Sequence, residues 1–301
     1  MANQNLSYAL NPTCPQCGSP RTKLVCFGNR AGSCGTAAPA KQDNTVWAYR
    51  FWHCKNCTLR FNTINLTEGQ LVQLYSSLPV VSKMMAHQAA KTYWRNLQSF
   101  LPGDGRLLVI GSGDGTLLAE VQHHLPHLEL YGLDLTQGAI KLSSALSVPI
   151  TTEAWAKELF PAHYFDFIVL PQTLEYLDRP TQKIQDILDW LRPPGKIFIF
   201  TRNHQAIFHR LLGSRSPIYT AGFRQIYTPQ ALNYLMRSCR PIARRRYVHW
   251  YPGSYLQGLL SPPFKVAQIS WGGMEEVIFP VPAGNFLAVY EGPSLLDGRP
   301  S

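Results

Sequence analysis

The chain has 301 residues, 45% of them hydrophobic and only 15% charged, which gives ample material for a core in one large domain or two unequal ones. Lysine and arginine number 28 against 18 acids, a formal net charge of +10, so the field of this protein gathers anionic ligands. No stretch approaches the ~20 uninterrupted apolar residues of a membrane span, and the opening MANQNLSYALNP is too polar for a secretory leader, so a soluble cytoplasmic protein is expected.

Residues 1–66 are rich in Cys, Gly, Asn and Thr and form the first segment. Six of the seven cysteines fall here, and clustered cysteines in a cytosolic chain point to metal rather than to disulfides. Cys14-Pro-Gln-Cys17 and Cys54-Lys-Asn-Cys57 are two Cys-x-x-Cys knuckles. Together they present four thiolates, the ligand set of a closed, structural Zn²⁺ site. Gly18 follows the first knuckle where a tight turn needs it, and YRFWHCKNCTLRF supplies strand-like residues around the second. The spacing predicts a small zinc ribbon with Cys14, Cys17, Cys54 and Cys57 as ligands. Cys26 and Cys34 lack knuckle spacing and read as structural, with a substitute-ligand or redox role as the alternatives.

Residues 67–102 switch to helical periodicity. Leu71, Leu74, Tyr75 and Leu78 share a face, MMAHQAAKTYWRNLQSFL continues in that style, and Pro102-Gly103 ends the run, so a helical linker is predicted. From residue 106 strands alternate with helices. RLLVI, LELYGLD, VPITT, DFIVL and KIFIFT read as buried strands, with helices predicted at 115–124, 136–146, 180–192 and 228–238. That alternation predicts an α/β fold, a Rossmann-like, doubly wound, mostly parallel sheet with helices on both faces. RRRYVHWY and NFLAVYEG read as late strands, with a Pro- and Gly-rich stretch at 252–284 between them. Arg237, Arg240, Arg244, Arg245 and Arg246 cluster there, as a solvated connection or as a patch attracting an acidic substrate, a phosphate-bearing carrier or RNA.

The strand RLLVI runs into Gly111-Ser112-Gly113-Asp114-Gly115. Glycines at every second position let the backbone take positive φ and approach a ligand closely, while the helix that follows offers free N–H groups. A dinucleotide site wants G-x-G-x-x-G, and Thr116 stands at the third glycine's place; no Gly-Lys-Ser/Thr occurs for a P-loop. Asp134, at the end of the next strand, is placed to accept from the two hydroxyls of a ribose, and Thr136 can fill the helix cap instead. The ligand so outlined is a nucleoside with an adjoining charged group.

In order and spacing, VIGSGDG, YGLDLTQGAI, YFDFIVLPQTLEYL and LRPPGKIFIFTRN resemble the motifs of the class I S-adenosylmethionine-dependent methyltransferases, over roughly residues 105–240. The cysteine lobe resembles the zinc-ribbon head of one bacterial branch of that family, making residues 103–301 the methyltransferase domain. The resemblance implies that Gly111, Ser112, Gly113 and Gly115 wrap the methionine part of S-adenosylmethionine. It implies that Asp134 holds the ribose and Leu135 borders the adenine. Glu153 and Ala154 would cover the adenine edge, and Pro171 and Gln172 would face the donor methyl. The chain departs from the pattern at Val109, where the family usually has an acid, at Tyr176, where a histidine is common, and in GFRQIYTPQAL, which lacks the histidine many relatives keep.

His204 and His209 follow the fifth strand, on the edge that faces the glycine turn, and are the candidate general bases. Tyr176 is the candidate for orienting an acceptor. The expected reaction is methyl transfer to a small-molecule acceptor, a sugar, lipid head group or secondary metabolite, with an anionic one suiting the charge. The competing readings are a non-catalytic, degenerate methyltransferase-fold binding module and an RNA methyltransferase. The strand after the turn ends in LPQT rather than the Asn/Asp-Pro-Pro-Tyr/Phe of base-methylating enzymes, which disfavours nucleic acid.

Overall fold

A computed structural model describes residues 12–28, 49–63, 83–134, 148–151, 155–216, 218–252, 278–281 and 284–293. In chain order its strands are β1 (Thr22–Gly28), β2 (Tyr49–Cys54), β3 (Arg60–Asn62), β4 (Arg106–Ile110), β5 (Glu129–Leu133), β6 (Ile150–Thr151), β7 (Phe165–Pro171), β8 (Leu191–Thr201), β9 (Gln225–Ile226), β10 (Arg240–Arg246), β11 (His249–Pro252), β12 (Ile278–Val281) and β13 (Phe286–Glu291). Its α-helices are α1 (Lys83–Leu97), α2 (Thr116–His124), α3 (Pro180–Trp190), α4 (Ile207–Leu212) and α5 (Pro229–Leu235).

The main sheet runs β10-β13-β8-β7-β4-β5-β6. Pairings among β4 to β8 are parallel, and β13 and β10 close one edge antiparallel. The apolar runs of the central strands follow from burial on both faces. Leu108 and Ile110 of β4, with Ile168 and Leu170 of β7, pack into one core with Ile184 and Ile187 of α3 and Leu232 of α5. Leu107 and Val109, with Phe167 and Val169, pack into the other against Tyr93 and Leu97 of α1 and Leu117, Leu118 and Val121 of α2. Helices therefore cover both faces, as the alternation predicts. Among the described residues no helix is long and apolar enough to cross a membrane.

Several boundaries differ from the sequence expectation. The helix expected over 180–192 stops at Trp190, because Leu191 already pairs with Phe165 and the prolines at 193 and 194 cannot continue a helix. The helix expected over 228–238 is α5 alone, which starts under a cap made by the Thr228 side chain on the Ala231 N–H. The arginine cluster is an edge strand: Arg240, Arg244, Arg245 and Arg246 lie in β10, with Arg240 ion-paired to Glu291 at 2.6 Å and Arg245 over the Phe100 ring. Charges on an outermost strand keep other chains from pairing with it. The helix expected over 136–146, Leu71, Leu74, Tyr75 and Leu78, and Cys34 lie outside the described residues.

The small sheet has the order β1-β2-β3-β9, all antiparallel, so its fourth strand comes from the main domain. Arg60 pairs with Ile226 and Phe61 with Gln225 across this seam. Cys14, Cys54, Cys57, Leu59 and Phe61 join the same core as Ile168, Ile199 and Leu232. His204, just past β8, is buried in the seam, and its Nε2 donates to the Thr58 carbonyl at 2.9 Å. Burial, then the Arg60 cation, lower its pKa from 6.5 to about 3.

A histidine held neutral in this way makes stability fall with acid. Below pH 6.5 the unfolded chain takes up a proton that the folded chain refuses until about pH 3, so this contribution is present at neutral pH and is lost as the pH falls through that window. Urea denaturation at pH 6.5 and pH 5 measures the loss. His204→Gln should lose about 2 kcal/mol less than wild type over that interval; parallel losses would mean that His204 titrates normally.

Candidate functional site

The glycine turn leaves the C-terminal end of β4 and is fastened on both sides. Toward β5, the Gly111 N–H donates to the Leu133 carbonyl at 2.7 Å, and the Gly113 N–H donates to Asp134 Oδ2 at 2.7 Å. Toward β7, Thr173 Oγ1 donates to the Ile110 carbonyl at 2.7 Å. Gly111 has φ 80°, and a Cβ there would lie 2.1 Å from Thr173 Oγ1, so glycine is required twice over. Gly113 also has positive φ, 56°, yet among the described residues nothing lies within 4 Å of where its Cβ would be. Gly115, again in the left-handed region, starts α2. Ser112 is buried, and its Oγ has no hydrogen-bond partner among the described residues. The turn is thus a cradle: rigid below, open at Gly113, with an orphaned hydroxyl beneath it. That is the lining a nucleoside-bearing ligand needs, and S-adenosylmethionine fits it.

Across the crevice, at the ends of β7 and β8, a polar cluster is buried. Pro171 ends β7, and Gln172 follows with φ 57°, a left-handed conformation rare for a residue with a side chain. The Gln172 N–H donates to the Phe200 carbonyl at 2.9 Å, and its Nε2 donates to the Tyr247 hydroxyl at 3.0 Å. Tyr93 of α1 meets Tyr247 edge-on, and both rings pack on Phe200. Burial pushes both phenols above their ordinary range, so they stay protonated. Glu175 is fully buried. Its Oε1 accepts from Thr201 Oγ1 at 3.0 Å, the Arg202 N–H at 3.1 Å and the Arg202 guanidinium at 3.4 Å, while Oε2 has no hydrogen-bond partner among the described residues. Tyr176 packs its ring on Phe223 at 5.1 Å. Breaking a buried pair such as Glu175–Arg202 typically costs about 3–5 kcal/mol, because one charge is left alone.

The structure therefore brings Gly111, Ser112, Gly113, Gly115 and Asp134 into one cradle, with Pro171 and Gln172 at the end of the neighbouring strand. It places the two candidate bases elsewhere. His204 lies in the seam, and His209 of α4 is buried with Nδ1 at 2.9 Å from Ser216 Oγ. Leu135, Glu153 and Ala154 lie outside the described residues. Tyr93, Tyr247 and Arg202 were not singled out by sequence, since no spacing links residues so far apart in the chain.

The four knuckle cysteines converge. Cys14 Sγ lies 3.6 Å from Cys57 Sγ and Cys17 Sγ 3.6 Å from Cys54 Sγ, and all four sulfurs are within 4.8 Å of one another. Metal–sulfur bonds of about 2.3 Å in a tetrahedron put sulfurs about 3.8 Å apart, so this set fits Zn²⁺; disulfide sulfurs would be about 2 Å apart. The hydrogen bond with Cys57, with backbone N–H groups of Gln16 and Cys17, lowers the Cys14 pKa to about 5, and the same bond pushes Cys57 up. Cys26 stands apart, its thiol donating to the Ser214 carbonyl.

The profile of a family described as a methyltransferase domain matches residues 85–239, half of the chain. A malonyl-(acyl-carrier protein) O-methyltransferase of Halalkalibacterium halodurans is 25% identical over 147 residues, which are 46% of this chain and 54% of that protein. The chain thus spans about half the length of this curated relative. The fold is shared with the SpnF 4+2 cyclase, at 15% identity and TM-score 0.53, covering 77% of this chain and 98% of that one. It is also shared with a chain from the complex of the Haloferax volcanii Trm112 methyltransferase activator with a methyltransferase, at 11% identity and TM-score 0.50, covering 70% and 95%.

The cradle makes two glycine substitutions separable. Gly111→Ala should destabilise the protein by about 2 kcal/mol or more in urea denaturation, from strain plus the clash with Thr173. Gly113→Ala should cost only about 1 kcal/mol, from strain alone. Equal losses would remove the distinction between a filled and an open position.

Proposed function

The chain belongs to the class I S-adenosylmethionine-dependent methyltransferases, and we propose that it is an enzyme carrying the methyl group of S-adenosylmethionine to a small-molecule acceptor. The observation that carries this reading is the cradle, tied to Asp134 on one side and to the β7 end on the other, open at Gly113. When bound there, S-adenosylmethionine supplies an electrophilic sulfonium methyl. Gly111, Ser112, Gly113 and Gly115 hold the methionine portion, and Asp134 accepts from the ribose. By the family pattern Leu135, Glu153 and Ala154 line the adenine, and Pro171 and Gln172 stand at the donor end.

We further read the acceptor as an oxygen nucleophile that arrives already anionic, such as a carboxylate. The relative from H. halodurans is named for O-methyl transfer to malonyl-(acyl-carrier protein), and a carboxylate needs no general base. His204 and His209 are committed to the frame, one to the Thr58 carbonyl and the other to Ser216. The phenols of Tyr93 and Tyr247 stay protonated, so each keeps an O–H to donate, which suits an acceptor oxygen. Tyr176 borders the same side and orients the acceptor. Nucleic acid is disfavoured because β7 runs into LPQT rather than the Asn/Asp-Pro-Pro-Tyr/Phe of base-methylating enzymes. The four cysteines hold Zn²⁺, whose closed ligand set makes it structural. The segments 1–66, 67–102 and 103–301 are then ribbon, linker and methyltransferase domain.

Calorimetric titration with S-adenosylmethionine and S-adenosylhomocysteine tests the cofactor reading. Wild type should bind both. Asp134→Ala should lose about 1.5–3 kcal/mol, roughly ten- to a hundredfold, for a charge-assisted hydrogen-bond pair. Asp134→Asn keeps an acceptor for the Gly113 N–H and should lose less. A folded wild type that binds neither compound would overturn the reading.

A further inference from the structure

We propose that the ribbon is a positioning device for the acceptor side of the site: the metal-bound knuckle Cys54–Cys57 holds the segment 218–228, which in turn sets Glu175 and Tyr176. This rests on the methyltransferase and zinc readings above. The segment contains only the two-residue strand β9, so its backbone groups need partners from elsewhere. Besides the β3–β9 pairing, the ribbon bonds two of the segment's carbonyls, two of its side chains and the helix that follows it. The Asn62 N–H donates to the Arg224 carbonyl at 2.8 Å, and Asn62 Nδ2 donates to the Phe223 carbonyl at 3.3 Å. Arg60 donates to the Tyr219 hydroxyl, and Thr58 Oγ1 lies 2.5 Å from Thr228 Oγ1, the hydroxyl that caps α5. Gln16, inside the first knuckle, donates to the Ala231 carbonyl at 2.9 Å.

The other side of the same segment touches the acceptor-side cluster. The Arg224 N–H donates to the Glu175 carbonyl at 2.8 Å. The Phe223 ring meets Tyr176 edge-on at 5.1 Å and carries the Arg202 guanidinium over its face at 4.8 Å. The line from metal to acceptor side is therefore short: Cys57, then Thr58 with its φ of 64°, then Arg60 and Asn62, then Phe223 and Arg224, then Glu175 and Tyr176. The glycine cradle is fastened instead to Leu133, Asp134 and Thr173, none of which touches the ribbon through these bonds. Structural zinc contributes directly to the folding of its own knuckles. Its loss should thus loosen the acceptor wall and leave the cofactor cradle intact. Thr58, Arg60 and Asn62 are positioning residues, acting through 218–228.

Hydrogen–deuterium exchange of the full chain, with metal content measured by mass spectrometry and S-adenosylhomocysteine affinity by calorimetry, tests this. In Cys57→Ser, exchange should rise about tenfold or more in peptides covering 174–177 and 218–228, while 107–121 stays protected and the affinity changes less than about threefold. Asn62→Ala, which keeps all four cysteines, should reproduce a smaller rise in the same two regions with full metal content. Continued protection of 218–228 in both variants would overturn the proposal, as would equal deprotection of the cradle in Asn62→Ala. A folded wild type that carries no metal by mass spectrometry would refute the zinc reading alone, and Asn62→Ala would still decide whether the ribbon positions the wall. A wild type binding no S-adenosylhomocysteine fails the cofactor reading instead.

Discussion

The structure depends on one short piece of backbone pairing, Arg60 and Phe61 of the ribbon against Gln225 and Ile226 of the main domain. Without it β9 has no neighbour in a sheet, and β3 becomes an open edge. With it, a cysteine lobe too small to have its own core shares one: Cys54, Leu59 and Phe61 pack in the cluster that contains Ile168, Ile199 and Leu232. Small lobes seldom bury enough apolar surface to stand alone, and metal or a neighbouring core supplies the difference. This lobe uses both. Buried polar groups at the seam, His204 and Asn62 among them, are bonded across it, which fixes one geometry rather than a sliding contact.

That geometry sets apart two clusters with different supports. The glycine cradle is built from turns between consecutive strands, where Gly111, Gly113 and Asp134 are bound to each other and to β5 within a short stretch of chain. The polar cluster at the ends of β7 and β8 is assembled from distant pieces: Tyr93 from α1, Gln172 and Glu175 after β7, Arg202 after β8, Phe223 before β9 and Tyr247 after β10. Within that cluster the buried Glu175 has one oxygen fully engaged and the other without a partner among the described residues, which is costly. One fold can serve unrelated chemistries, as a cyclase among its structural relatives illustrates.

The glycine cradle was legible in the sequence because its information is local. Glycines at alternate positions after an apolar run, and a carboxylate at the end of the next strand, are spacings that the turn itself imposes, and Asp134 does receive the Gly113 N–H. The two cysteine knuckles were legible for the same reason, and their sulfurs converge as the spacing requires. The polar cluster at the ends of β7 and β8 was not legible. Tyr93 reads as one more apolar residue on a helix face, and Tyr247 as part of an arginine-rich strand. The histidines after β8 were attractive as bases because of their place in chain order, but the ribbon's Thr58 carbonyl and Ser216, far along the chain, are what receive them. The arginine run reads first as a solvated connection, with a binding patch as the alternative; the sheet order places Arg240, Arg244, Arg245 and Arg246 on an outermost strand.

If the seam governs the molecule, ribbon and main domain unfold together. Differential scanning calorimetry of the metal-loaded protein is the most direct test. The account predicts a single transition whose calorimetric and van't Hoff enthalpies agree. Two resolved transitions, with the ribbon melting first and the main domain's transition unaltered by chelator, would contradict it.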